Sequence, residues 1–282
     1  MNKLQFLPLL LLLACTDETP EPPPPAAITL QQSTELDTRL REISGLAWTG
    51  TELYAQNDSG NDPKIYRLDP ETSSVLGSFE LDLPNRDWED LAVDDSYLYI
   101  GDFGNNLGNR TDLSIFRIAL VEIAQPDATV DTLHFSFALQ AQPPLPSSDH
   151  NFDVEGFYVQ QDSIQLFSKN RSGDGSQRYV FSAAPGEYLL LPRATLDLPG
   201  TVTGADRLPT GEVALCGYRF ENNAFTPFIR YYPEGLNGPH LQFTDLPPVQ
   251  MESIVLLNAT TILTASEGEG SAEPTLFRLE VL

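Results

Sequence analysis

The chain has 282 residues, 40 of them acidic and 16 basic, giving a formal net charge of −24 and a pI near 4.2. So large an acidic excess repels phosphate backbones, which excludes nonspecific nucleic-acid binding; no nucleic-acid partner is expected. The 23 prolines and 19 glycines, with no sustained 3.6-residue period, exclude a helical bundle and leave a single all-β domain.

The N-terminus begins with Lys3 and an apolar run, Leu7 to Leu13, broken by Pro8. That run is too short to span a bilayer and reads as the core of a signal peptide. It ends in Leu12-Leu13-Ala14-Cys15, which resembles the lipobox of bacterial lipoproteins. The resemblance implies cleavage before Cys15 and lipidation of its sulfur. Residues 1–14 are then the signal peptide, and the protein meets the membrane through its lipid anchor only. The expected place is the bacterial cell envelope, at the outer membrane or cell surface. An ordinary signal peptide with a chance cysteine is the alternative. Cys216 is the other cysteine, so the mature chain cannot form an intramolecular disulfide. Its apolar surroundings read as a buried strand. Residues 15–27 carry four consecutive prolines and favour an extended polyproline II spacer. The folded domain is expected over 28–282, as a monomer.

Residues 28–36 read as one isolated strand. A three-strand pattern then repeats from near residues 42, 87, 153, 201 and 250. A period of roughly 45–65 residues with several strands per unit means a propeller. Fourth strands follow the first four units, near Ser74–Phe79, Thr132–Phe137, Tyr188–Leu191 and Leu241–Phe243. The fifth unit lacks one, and the isolated N-terminal strand is expected to supply it. The fold class is therefore all-β, a five-bladed propeller closed by the N-terminal strand. A six-bladed arrangement, with a further blade within 120–150, is the second choice.

The first strand of each blade lines the central channel, and side chains alternate along it. Aligning the units puts Ser44, Glu89, Glu155, Thr203 and Glu252 in one ring. Small or polar residues follow (Gly45, Asp90, Gly156, Gly204, Ser253), and an apolar ring, Leu46, Leu91, Phe157, Ala205 and Ile254, is expected to plug the channel with hydrocarbon. Glutamates facing one axis repel each other, so either one is protonated or a cation sits among them. Oxygen donors without histidine or cysteine favour a hard ion, and Ca²⁺ is the expected cofactor. A water-filled polar pore is the alternative.

The order Ser44, Glu89, Glu155, Thr203, Glu252 resembles that of the calcium-dependent apyrases, or calcium-activated nucleotidases, over about residues 42–257. The resemblance implies a five-bladed propeller with one central Ca²⁺ on these five positions, and Thr203 stands where that family tends to have serine. The chain is also similar to exported bacterial propeller lipoproteins with Asn-Asp-Ser-Gly, Asp-Trp-Glu and Gly-Asp-x-Gly-Asn-Asn elements, and to propellers of the phytase-like or esterase-like type.

Second strands return to the face where the first strands begin, so the loops that follow them form a mouth. Seven basic residues fall there: Arg39, Arg41, Arg86, Arg110, Lys169, Arg171 and Arg219. The expected ligand-binding residues are Asp58, Arg86, Asp102, Arg110, Lys169, Arg171, Arg219 and Glu267, arginine being suited to oxyanions. Pairing of these cations with local carboxylates is the competing reading. The catalytic candidates are His150, Asp87 and Asp153. No serine-nucleophile elbow, phosphate loop or zinc motif is visible.

The sequence leads to an envelope lipoprotein that binds an anionic small molecule or a surface protein at a calcium-pinned mouth. The alternative is a calcium-dependent hydrolase of phosphate esters or anhydrides. A glycosidase is disfavoured, because carboxylates tied to a metal are poor general acids.

Overall fold

The structure, a computed structural model, describes residues 27–282 apart from positions 126, 142, 143 and 174. The signal segment, Cys15 and nearly all of the linker lie outside the described residues. Among the described residues no helix is long and apolar enough to cross a membrane.

Strand β1 (Ile28–Glu35) opens the domain. Blade one is β2 (Ile43–Trp48), β3 (Leu53–Asn57), β4 (Lys64–Leu68) and β5 (Val75–Glu80). Blade two begins with β6 (Trp88–Val93), β7 (Tyr97–Asp102), β8 (Leu113–Ala119) and β9 (Val130–Phe137). Blade three holds β10 (Val154–Gln160), β11 (Ser163–Ser168) and β12 (Ser176–Ser182); after the separate strand β13 (Gly186–Leu190) it is completed by β14 (Ala194–Leu196). Blade four is β15 (Thr201–Arg207), β16 (Val213–Glu221), β17 (Ala224–Tyr232) and β18 (Leu241–Phe243). Blade five is β19 (Met251–Asn258), β20 (Thr261–Ser266) and β21 (Thr275–Val281), and β1 pairs with β21 from Ile28↔Val281 to Glu35↔Thr275. The first strand of the domain is thus the outer strand of the last blade, and pairing of the two ends closes the ring. The six-bladed alternative is overturned, since the described residues of 120–150 contribute β9 to blade two and no further sheet.

One outer strand differs from expectation. The Tyr188–Leu191 segment does not complete blade three. Instead β13 adds in parallel to β9 as a fifth strand of blade two, and β14 takes the expected place. Tyr188 and Leu190 come into register with Phe135 and Phe137, so their rings and methyls join the core between blades two and three.

That core is one of five, one at each blade interface. The expected apolar plug is distributed among them. Leu46 packs between blades five and one, Leu91 between one and two, Phe157 between two and three, Ala205 between three and four, and Ile254 between four and five. Simple alternation mispredicts this because every inner strand carries a β-bulge at the same level. The register skips Ser44, Glu89, Glu155, Thr203 and Glu252, one residue in each blade. A bulged residue stands outside the ladder and re-aims its neighbours.

The axis is closed by Asp90 instead. The same level in the other blades holds Gly45, Gly156, Gly204 and Ser253. An added Cβ on Gly45 would meet Leu91 N at 2.8 Å, and one on Gly156 would meet Gly204 C at 2.9 Å, so only small residues pass here. Asp90 is fully buried, and its Oδ2 accepts from Phe157 N at 3.1 Å and Ala205 N at 3.4 Å, with Leu91 N on Oδ1 at 2.8 Å. One carboxylate therefore ties the inner strands of blades two, three and four.

Candidate functional site

The mouth is stitched by a repeated contact between the end of each second strand and the start of the inner strand. Asp58 N donates to Glu42 O at 2.9 Å, Gly104 N to Asp87 O at 3.1 Å, Lys169 N to Asp153 O at 2.9 Å and Glu267 N to Gln250 O at 3.2 Å. This brings residues that follow β3 and residues that open β6 to one place.

There Asp58, Asp87 and Glu89 converge, with ligand oxygens that all lie within 4.8 Å of one another. Asp58 and Asp87 are half-buried and Glu89 is 6% exposed. Gly104 makes the room: a Cβ at that position would stand 2.0 Å from Glu89 Oε1 and 2.5 Å from Asp87 Oδ2. Among the described residues no lysine or arginine pairs with any of the three, because the mouth cations are engaged elsewhere. Burial raises all three carboxyl pKa values. For Asp87, burial and then Asp58 push the value up to about 6. For Glu89, burial is followed by the charges of Glu155, Asp58 and Asp87. For Asp58, burial outweighs the hydrogen bonds from Ser59. The cluster is short of positive charge, and three carboxylates without a nitrogen or sulfur donor suit a hard divalent ion. The residues present fit a metal ion.

The five bulged ring residues are all buried and fall into different environments. Glu89 belongs to the acidic cluster. Glu155 is paired with Lys169, Nζ to Oε2 at 2.9 Å, and Arg171 Nη2 lies 3.9 Å from its Oε1. Glu252 accepts from Gln250 Nε2 at 2.6 Å. Ser44 Oγ donates to the carbonyls of Trp88, at 3.2 Å, and Glu89; Thr203 Oγ1 donates to Met251 O at 2.5 Å. The two hydroxyls thus bolt adjacent blades together.

Lys169 is the internal counter-charge of this level. Burial disfavours its ammonium, yet Glu155 and Glu252 outweigh that and hold its pKa well above the usual lysine value. Its Nζ also lies 5.5 Å from the centre of the Tyr218 ring.

The other expected mouth residues are mostly paired with each other. Arg171 Nε meets Asp153 Oδ2 at 2.6 Å, and Asp153 Oδ1 accepts from Asn105 N at 2.7 Å. Arg110 grips Asp102 at 3.3 Å, Asp112 at 3.3 Å and the carbonyl of Gly104 at 2.7 Å. Arg86 pairs with Asp112, Arg39 with Asp37 at 2.7 Å and Arg41 with Glu273 at 3.5 Å. Arg219 lies 3.9 Å from Glu221 and lines a cleft beside Lys169. Glu267 is raised to about 8 by burial and then by Glu252 and Asp58. His150 is 9% exposed and held at both ring nitrogens: Nδ1 accepts from Phe152 N at 3.1 Å, and Nε2 lies 3.2 Å from Asn106 O. Its contacts join two mouth loops.

Two features escaped the sequence reading. Gly104 gave a signal as part of a glycine- and asparagine-rich loop, but its contact with Glu89 depends on the bulge. The cleft beside Lys169, of about 460 Å³, is lined by Tyr218, Phe220 and Phe225 as well as by basic side chains. Its signal was the length of the β16–β17 hairpin.

No protein-family model matches the chain, and no curated protein matches it. Among solved structures it is similar to glutaminyl cyclase from Myxococcus xanthus, with a TM-score of 0.55 and 12% identity over 91% of this chain and 98% of that one. It is also similar to the PQQ-bound aldose sugar dehydrogenase from Streptomyces coelicolor (TM-score 0.49, 12% identity, 93% and 100% of the two chains). A third is the hydrazine synthase of Kuenenia stuttgartiensis (TM-score 0.43, 9% identity, 79% and 73%). At these identities the likeness shows the fold alone, and it does not single out the apyrase or phytase-like propellers. The chain is a five-bladed β-propeller with an acidic cluster at its mouth able to hold a metal ion.

Proposed function

We propose that this protein is a metal-dependent hydrolase of phosphate esters or anhydrides, working at the mouth of the propeller and held at the cell envelope through Cys15. The observation that carries the reading is the convergence of Asp58, Asp87 and Glu89, without a cation partner among the described residues, on a mouth that also holds a cleft lined by Lys169, Arg171 and Arg219, the first of which acts electrostatically on Asp58. Calcium suits the all-oxygen donor set. A divalent ion there supplies neutralisation and orientation of the substrate's oxyanions. Asp58, Asp87 and Glu89 hold it. Lys169 and Arg171, though paired, keep N–H donors beyond those spent on Glu155 and Asp153, and these face charge that develops on the transferred group. The Asp153 and Glu155 carboxylates fix both cations in position.

The test is turnover of purified protein on phosphate monoesters, diphosphates and phosphodiesters, with calcium and with chelator. Chelator-sensitive turnover supports the hydrolase. A chelator-dependent fall in melting temperature with no turnover on any of these classes would leave a metal-pinned binding module for an anionic ligand or surface protein.

A further inference from the structure

The β16–β17 hairpin is built differently from its counterparts. Strands β16 and β17 run nine residues each, where the second strands of the other blades have five or six. The extension turns tightly through Asn222 and Asn223, with φ of 53° and 61°, the left-handed pair that a two-residue hairpin needs. It carries an aromatic ladder. Phe220 and Phe225 are cross-strand partners with ring centres 4.8 Å apart, and Tyr218 packs edge-on to Phe225 at 5.0 Å. Phe220 remains 55% exposed at the rim of the cleft, an apolar ring forgoing burial beside a charged floor. Lys169 and Arg171 line the same cleft, with Lys169 Nζ 5.5 Å from the centre of the Tyr218 ring.

We infer that this cleft is a binding site for an organic anion that carries a flat ring, the ring lying against Phe220 and Phe225 and the anionic group meeting Lys169 and Arg171. The volume, about 460 Å³, is that of a small-molecule site. The charged lining of the cleft is mainly basic, Lys169, Arg171 and Arg219 against Glu221, in contrast to the carboxylates gathered at Asp58, Asp87 and Glu89. An anion bound in the cleft therefore lies on the cationic side, next to a level where Lys169 already touches Glu155. As an account of the substrate, in which the ring is its organic part, this rests on the proposed hydrolase; as a binding site it stands by itself.

Phenylphosphonate and methylphosphonate present the same anion with and without a ring, and neither is hydrolysed like an ester. Titrated calorimetrically into the full chain, in chelator and again in calcium, phenylphosphonate should bind about tenfold more tightly. Phe220→Ala, at an exposed position, should remove most of that preference and leave methylphosphonate affinity unchanged. Equal affinities, no binding of either compound, or a preference that survives both Phe220→Ala and Phe225→Ala would overturn the inference. Ring preference without turnover on any phosphate compound would retire the hydrolase and keep the cleft. Calcium-dependent turnover without ring preference would do the reverse.

Discussion

Lys169 Nζ stands 2.9 Å from Glu155 Oε2, with both side chains nearly excluded from solvent. One of the three glutamates in the inner ring therefore has its cation within the chain, while Glu89, at the same bulge in the next blade, has none among the described residues. The electrostatic demand of the mouth is divided between a protein ammonium and a cluster of carboxylates able to hold an ion.

Breaking the internal pair should be costly. Lys169→Met leaves Glu155 buried without its partner, and a loss of about 3–5 kcal/mol in chemical denaturation is expected. Lys169→Met combined with Glu155→Gln should recover most of that loss. Additive losses in the double variant would show that the two side chains act independently.

Gly104→Ala is a local test of the cluster. The new Cβ would collide with Glu89 Oε1 and Asp87 Oδ2. Divalent-ion affinity should fall by about tenfold or more while the far-ultraviolet spectrum stays that of the parent, since overpacking of this size costs roughly 1–3 kcal/mol and is confined to one loop. Unaltered affinity would place the ion elsewhere.

Asp90 is predicted to hold the axis. Asp90→Ala leaves the amides of Phe157 and Ala205 without an acceptor and opens a hole between three blades. Destabilisation of roughly 2–4 kcal/mol is expected; Asp90→Asn keeps one acceptor oxygen for Phe157 and Ala205 but turns an amide N–H toward Leu91 N, and should lose a smaller amount, about 1–3 kcal/mol. Asp90→Leu fills nearly the same space without acceptor oxygens and should lose as much as Asp90→Ala in thermal melts; a Leu variant as stable as the parent would reduce Asp90 to filling space.

Much of this was legible before the structure. Each blade announces itself by the recurring three-strand pattern, and the unpaired first strand matched the missing last one. What was not legible turned on single-residue register. Tyr188 and Leu190 read as a strand, but nothing in their own pattern says that the partner is β9 in parallel. Asp58, Asp87 and Glu89 were each singled out, yet for different roles; a bulge at Glu89 and a glycine at 104 gather them, and neither is visible as alternation. The mouth cations stand out in the sequence as residues, while their carboxylate partners, such as Asp153 for Arg171, emerge only when loops from separate parts of a blade meet.

Stability should fall as pH rises in chelator. Glu267 is raised from 4.5 to about 8, by burial and then by Glu252 and Asp58, and Asp206 from 3.8 to about 6 by burial. Both folded values exceed the unfolded ones, so their contribution is full below about pH 4 and is lost as pH passes through about 6 for Asp206 and about 8 for Glu267. Melting temperatures recorded from pH 5 to 8.5 should decline, and Glu267→Gln should flatten the upper part of that decline. An upper slope that Glu267→Gln leaves unchanged would exclude Glu267 as its source.

Asp58, Asp87 and Glu89 are proposed to bind a divalent cation. Calorimetric titration of chelator-stripped protein with calcium measures it directly. One site per chain is predicted, weakened by about tenfold or more in each of Asp87→Asn and Glu89→Gln. Absence of binding, or binding that both variants leave intact, would contradict it.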